Sequence, residues 1–238
     1  MKPERYFYTS AGALFLLLTF IGFRHYILGG THPDGSPFHP ALLALVVLHS
    51  SAVFAWFVLF FLQSLLISVQ NRRLHMKLGW SVLAIGSAIA LTGPIVAVRS
   101  IQLTPPFSLF GWPYSRFLLI MLTEIVLFTT FVTIGVLNRR RPGIHRPMML
   151  MASLALLSGA TSRTPFFHAI FGDSTAAGFF GPVILIGALL VLTRLALTRR
   201  FDRWLVGGYA TCMIVLITAG QLALTDTWGV WAATLLKL

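Results

Sequence analysis

Apolar runs of about 20 residues recur along this chain, and that length leaves few folds open to it. A helix needs such a run to cross the hydrocarbon core of a bilayer. Backbone polar groups in lipid must be satisfied within the segment, so runs of this kind are helices. Seven are read, at roughly 8–29, 41–69, 78–98, 116–137, 147–162, 176–197 and 204–224. The second is long and the fifth short, which tilt or an interfacial extension accommodates. Of the 238 residues, 57% are hydrophobic and only 10% charged, against about 25% charged in soluble domains. The expected fold class is all-α. The expected architecture is one polytopic membrane domain over residues 1–238, a seven-transmembrane helix bundle. After Asp226, the segment with Trp228 and Trp231 is too short to span. It is expected at the interface, where Trp is favoured.

A net charge of +12 invites a nucleic-acid reading, but its distribution argues against that partner. Lys2 and Arg5 precede the first run. Arg72, Arg73 and Lys77 follow the second; Arg139, Arg140, Arg141 and Arg146 follow the fourth; Arg199, Arg200 and Arg203 follow the sixth. Positive charge in alternate loops is the positive-inside pattern. It predicts an inner-membrane, multi-pass protein with its N-terminus cytoplasmic and its C-terminus external. The clusters read as topology signals with affinity for anionic membrane lipid. Lys2 and Arg5 before an apolar stretch resemble a signal peptide, yet Phe23-Arg24-His25-Tyr26 follows instead of a small-residue cleavage site. The first run is therefore read as a retained helix. Cys212 is the single cysteine, so no disulfide or iron–sulfur site can be built within one chain.

Spans two to seven pair into three hairpins. The turns at Asn71-Arg72-Arg73-Leu74-His75 and Asn138-Arg139-Arg140-Arg141-Pro142-Gly143-Ile144-His145 are alike, and the helix after each ends in an arginine, Arg99 or Arg163. They read as a parallel duplication, with chance likeness between hydrophobic hairpins as the alternative. The third and fifth spans are rich in Gly, Ala and Ser, which let helix backbones approach closely in lipid. Both are expected at the centre of the bundle.

Glu124 is the only acidic residue within a span. An ionisable group there costs roughly 2.5–3.5 kcal/mol on insertion scales and normally faces a partner in the bundle interior. His49, Trp56 and Gln63 fall at i, i+7 and i+14 and share one helix face. His49 lies roughly 13 Å past Pro40 and Glu124 roughly 16 Å past Pro113, at about 1.5 Å per residue. A His49–Glu124 contact is open to them if the second and fourth spans are neighbours. The alternative is interhelical hydrogen bonding that serves as glue. Arg24, Arg99, Arg116 and Arg163 stand at external helix ends, against the topology bias. Candidate partners are Glu124, lipid phosphate reached by snorkelling, or an anionic ligand in a basic pocket. The candidate ligand pocket is therefore His49, Gln63, Glu124, Arg99, Arg116 and Arg163.

His75 and His145 open parallel helices at the cytoplasmic side. Histidine is a haem or metal ligand, and it also caps turns. His75, His145 and His49 are the candidate cofactor-binding residues, with haem b the cofactor they point to. Met76, Met148, Met149 and Met151 nearby are haem-ligand types but commonly pack helices. His32 and His39 share a Gly- and Pro-rich loop without strong metal spacing. No metal site is expected. No phosphate-binding Gly loop and no Gly-x-Ser-x-Gly occur. The seventh span lacks Lys, which excludes a retinal Schiff base there.

His49 with Trp56 and Gln63, Arg72-Arg73-Leu74-His75-Met76-Lys77-Leu78-Gly79, His145-Arg146-Pro147-Met148-Met149-Leu150-Met151-Ala152, and Arg163 together resemble a widespread family of uncharacterised bacterial multi-pass membrane proteins. Its two turns read as His-Arg-Arg-Leu-Gly and His-Lys-Arg-Leu-Met. The resemblance extends to Gly22-Phe23-Arg24, and this chain departs at Met76-Lys77 and Pro147. It implies a multi-pass fold and carries no activity. The His-bearing helix starts also resemble, distantly, cytochrome b561-like haem proteins, although the His spacing does not reproduce their pairs. The leading functional expectation is a membrane-embedded cofactor or ligand binder, most concretely b-type haem or quinone-linked redox. The alternatives are a transporter or accessory subunit whose external pocket takes a small anion or lipid headgroup, and a structural subunit among membrane-protein partners.

Overall fold

The computed structural model describes residues 3–31, 37–104, 108–109, 112–172 and 175–237. Lys2, the His32 loop centre and the loop positions Asp34, Pro105 and Asp173 lie outside them. The chain runs α1 (Phe7–Gly22), α2 (Arg24–Gly29), α3 (Pro40–Ser68), α4 (Arg72–Leu78), α5 (Ser81–Leu103), strands β1 (Ser108–Leu109) and β2 (Trp112–Pro113), then α6 (Phe117–Leu137), α7 (Pro142–Ala155), α8 (Ser158–Thr161), α9 (Pro165–Phe171), α10 (Thr175–Thr198), α11 (Arg203–Ala223) and α12 (Asp226–Leu236). The strands form one antiparallel hairpin before α6, with Ser108 opposite Pro113.

Five stretches are long and apolar enough to cross a membrane: Pro40–Ser68, Arg72–Leu103, Tyr114–Leu137, Ala177–Thr198 and Arg203–Ala223. The first predicted span is a shorter helix of 16 residues followed, past Phe23, by α2. The fifth is interrupted: α7 stops at Ala155 and α8 resumes at Ser158. Large apolar side chains face outward, with Leu91 70%, Val126 63% and Ile214 64% exposed. In water such a surface is costly at roughly 25 cal/mol per Å²; against lipid tails it is not. The molecule has the surface of an integral membrane protein.

Contacts between elements close a ring. α5 packs on α3, α3 on α1, α11 on α10 and α6, and α6 on α5. Arg194 of α10 completes it by lying over the Phe7 and Tyr8 rings at the α1 end, 5.5 and 5.6 Å away. Inside the ring sits the α7–α8 unit, which touches α1, α3, α6, α10 and α11. Every residue from Pro147 to Ala155 is buried, as are Leu157, Ser158, Ala160 and Thr161. A helix apolar on all sides belongs in an interior. Non-helical backbone at membrane depth is tolerated where protein surrounds it, and the wholly buried Leu157 in the gap meets that condition.

Expectation and structure part at the third span. α5 was expected beside the fifth span at the centre, but it is a ring helix packed on α3 and α6. Its small residues serve two different ends. Gly93 makes room for Ile125 and His49, whereas Gly86, Ser87 and Ala90 border an outward groove. Small side chains permit close approach without stating what approaches.

Candidate functional site

Glu124 projects from the third turn of α6 and accepts a hydrogen bond from Ser158 Oγ, at the first residue after the α7–α8 gap. Ser158 is 1% exposed, so this bond is made inside the bundle. Arg163 follows on the same strand of chain. Its Nη1 donates to the Gly159 carbonyl at 2.5 Å and its Nε to Tyr26 Oη at 3.3 Å. Its guanidinium stands over the Phe23 and Tyr26 rings, 5.3 and 5.7 Å from their centroids. Those two bonds occupy only part of a guanidinium's five N–H donors. Arg163 lies within electrostatic reach of Glu124, and Glu124 in turn within reach of Cys212. No ion pair within bonding distance joins the acid and the arginine among the described residues.

The close approach of α1 to this point has a cause in sequence. A Cβ on Gly22 would collide with the backbone of Ala160. The glycine lets the α1 end press on α8, which brings Phe23 and Tyr26 to Arg163.

The remaining candidate pocket residues are placed elsewhere. His49 Nδ1 bonds Thr92 Oγ1 at 2.8 Å, tying α3 to α5. It packs by Gly93 next to Ile125, but no hydrogen bond links it to Glu124. Arg116 donates to the carbonyls of Ala223 (3.1 Å) and Thr225 (3.3 Å) and lies 3.6 Å from the exposed Asp226 carboxylate. It fastens the α6 start to the α11–α12 corner. Arg99 is exposed on α5, apart from these groups. Arg24 folds back on the Ile21 carbonyl at 3.0 Å.

Gln63 belongs to the opposite, basic-loop end. Its carboxamide matches the Gly79 N–H (3.0 Å) and the His75 carbonyl (3.1 Å) only with its nitrogen turned toward the His75 ring, 2.5 Å from Nδ1. The Gln63 main-chain carbonyl lies 3.3 Å from the same ring atom. Two contacts thus compete for Nδ1: as a donor it serves the Gln63 carbonyl, as an acceptor the turned carboxamide, and the ring's tautomer selects between them. At His145 the one partner is a carbonyl: its Nδ1–H donates to Gly135 at 2.9 Å and leaves an Nε2 lone pair. Between the two ends, Trp56 Nε1 donates to Ser153 Oγ at 3.1 Å, joining α3 to the central helix.

The shared face of His49, Trp56 and Gln63 is therefore a line of three separate ties, to α5, α7 and α4. Sequence reasoning missed the partners Ser158, Thr92, Ser153 and Tyr26. It also missed the Arg194–Asp202 ion pair at 3.8 Å, although Asp202 sits in the third basic turn as cap of α11. Serines and threonines carry no periodic signal that marks them as partners. Among the described residues no cluster of three or more His, Cys, Asp or Glu side chains is placed to hold a metal. No protein-family model, curated protein or solved structure matches the chain.

Proposed function

We propose that the chain is a seven-span protein of the inner membrane, N-terminus cytoplasmic and C-terminus external, that binds a small ligand at Glu124, Ser158 and Arg163. α1 with α2 and the α7–α8 unit supply the two spans beyond the five long ones. One observation carries the reading. The single acid of the spans bonds the central helix where that helix is broken, beside an arginine with N–H donors to spare. Interrupted helices at membrane depth mark binding sites in carriers, and intramembrane ionisable groups mark function by default. Arg163 would take an anionic or carbonyl oxygen, and Glu124 and Ser158 the ligand's polar hydrogens. A small anion, a lipid headgroup and a quinone ring all satisfy that pattern.

The test is a thermal-shift titration of the purified protein with short-chain quinones, small carboxylates and glycerol phosphate. At least one probe is expected to raise Tm, and Arg163→Gln to abolish the rise while Glu124→Gln weakens it. No shift with any probe, or equal shifts in both variants, would leave the trio with a structural role only.

The haem reading finds one matching residue. His145 presents an Nε2 lone pair with Nδ1–H held by a carbonyl, the arrangement of a ligating histidine. His75 offers the same lone pair only in the tautomer that donates Nδ1–H to the Gln63 carbonyl. Visible absorbance of the purified protein separates this reading from the first.

A further inference from the structure

A groove of about 220 Å³ runs between α5 and α6 on the outside of the ring. Gly86, Ser87 and Ala90 form one wall, and Thr129, Thr133 and Leu137 belong to the other. The threonine hydroxyls are turned inward onto their own helix, Thr129 to the Ile125 carbonyl and Thr133 to the Thr129 carbonyl, both at 2.7 Å. They thus present methyl groups and methines to whatever lies in the groove. Leu137 also borders a second, polar hollow formed with Asn138, Arg139, Arg140 and Arg141. The apolar groove and the arginine turn thus meet at Leu137.

Among the described residues no acid pairs with that turn. Arg139, Arg140 and Arg141 are all exposed. Of the six acids in the chain, Asp202 is taken by Arg194 and Asp226 by Arg116, and Glu124 is committed to Ser158. A topology signal needs only positive charge in the loop. It does not need a groove that starts at the charge and runs along the membrane-facing side.

We propose that this is a binding site for one anionic phospholipid, its phosphate on the Arg139–Arg141 turn and one acyl chain in the α5–α6 groove. The shape takes a flexible chain, and the adjoining charge selects a headgroup of net negative charge. The site is distinct from the Glu124 trio and does not depend on it.

The experiment is native mass spectrometry of delipidated full-length protein given equal amounts of phosphatidylglycerol and phosphatidylcholine with identical acyl chains. Wild type is expected to retain one phosphatidylglycerol in preference. Arg140→Gln with Arg141→Gln should lower its affinity by about fivefold for each arginine removed. Ala90→Phe, which fills the groove and leaves the arginines in place, should lower retention of both lipids. Unchanged retention in Ala90→Phe would reduce the site to surface electrostatics and overturn the proposal. So would unchanged preference in the arginine variant, equal binding of deacylated glycerophosphoglycerol, or a dimer that Ala90→Phe dissociates, because a second copy would then be the occupant.

Discussion

Three side chains of α3 show how a polar residue in a membrane helix is spent. His49, Trp56 and Gln63 each reach a different neighbour, Thr92, Ser153 and the His75 turn. Such bonds average about 0.6 kcal/mol in membrane proteins, with a maximum near 1.7 kcal/mol, so each orients more than it stabilises. Glu124 differs because it is ionisable and its partner Ser158 stands at a helix break. Glu124→Gln keeps the shape and an oxygen for Ser158, and it is expected to unfold in detergent and denaturant within about 0.6 kcal/mol of wild type. Glu124→Leu removes the acceptor from a buried hydroxyl and is expected to cost about 1–3 kcal/mol. Equal losses in the two variants would show that the carboxyl does not hold the central helix.

At the scale of elements, the α7–α8 unit is the part that least resembles its sequence expectation. Read alone, residues 147–162 are a short span. In the fold they are a core, enclosed by α1, α3, α6, α10 and α11. Enclosure permits the break and accounts for the small residues, since Ala152, Ser153, Ala155 and Ala160 let several helices approach at once. The tightest approach is Gly22 on the Ala160 backbone. Gly22→Ala forces a methyl group against main chain and is expected to destabilise by about 1–3 kcal/mol. It should also loosen Arg163 by moving Phe23 and Tyr26. Gly207, where an added Cβ meets nothing within 4 Å, is the control; Gly207→Ala is expected to be neutral or stabilising by up to about 1 kcal/mol. A Tm ranking with Gly207→Ala below Gly22→Ala would contradict the packing described for α1 and α8.

For the whole molecule, the proposed topology puts the basic turns on one side and Glu124 and Arg163 nearer the other. Reporter fusions after Arg73, Arg141 and Arg200 are expected to read cytoplasmic, and fusions at Asp34, Pro105 and Asp173 external. One inverted loop would remove a crossing from the seven and move Glu124 to a different depth. The lipid experiment is independent of that result, because the groove and its arginines share one end whichever way the protein inserts.

What the sequence by itself determined was the kind of molecule: apolar helices in number and basic turns between them. Those properties are local. Whether a stretch of about 20 residues prefers lipid is a sum over its own side chains, and loop charge is read loop by loop. The polar residues that matter were visible too, since a lone Glu in an apolar run stands out without a structure. Only the tertiary structure decided where they go. It sent Glu124 to Ser158 rather than His49, Arg116 to the α11–α12 corner, and Gln63 to the opposite end from Arg163. It also made the fifth run the centre and the third a wall. Residues on facing helices are far apart in sequence, and inside a bilayer the hydrophobic effect does not choose between one apolar face and another. Close packing and a few hydrogen bonds make that choice, and both exist only once the helices have met.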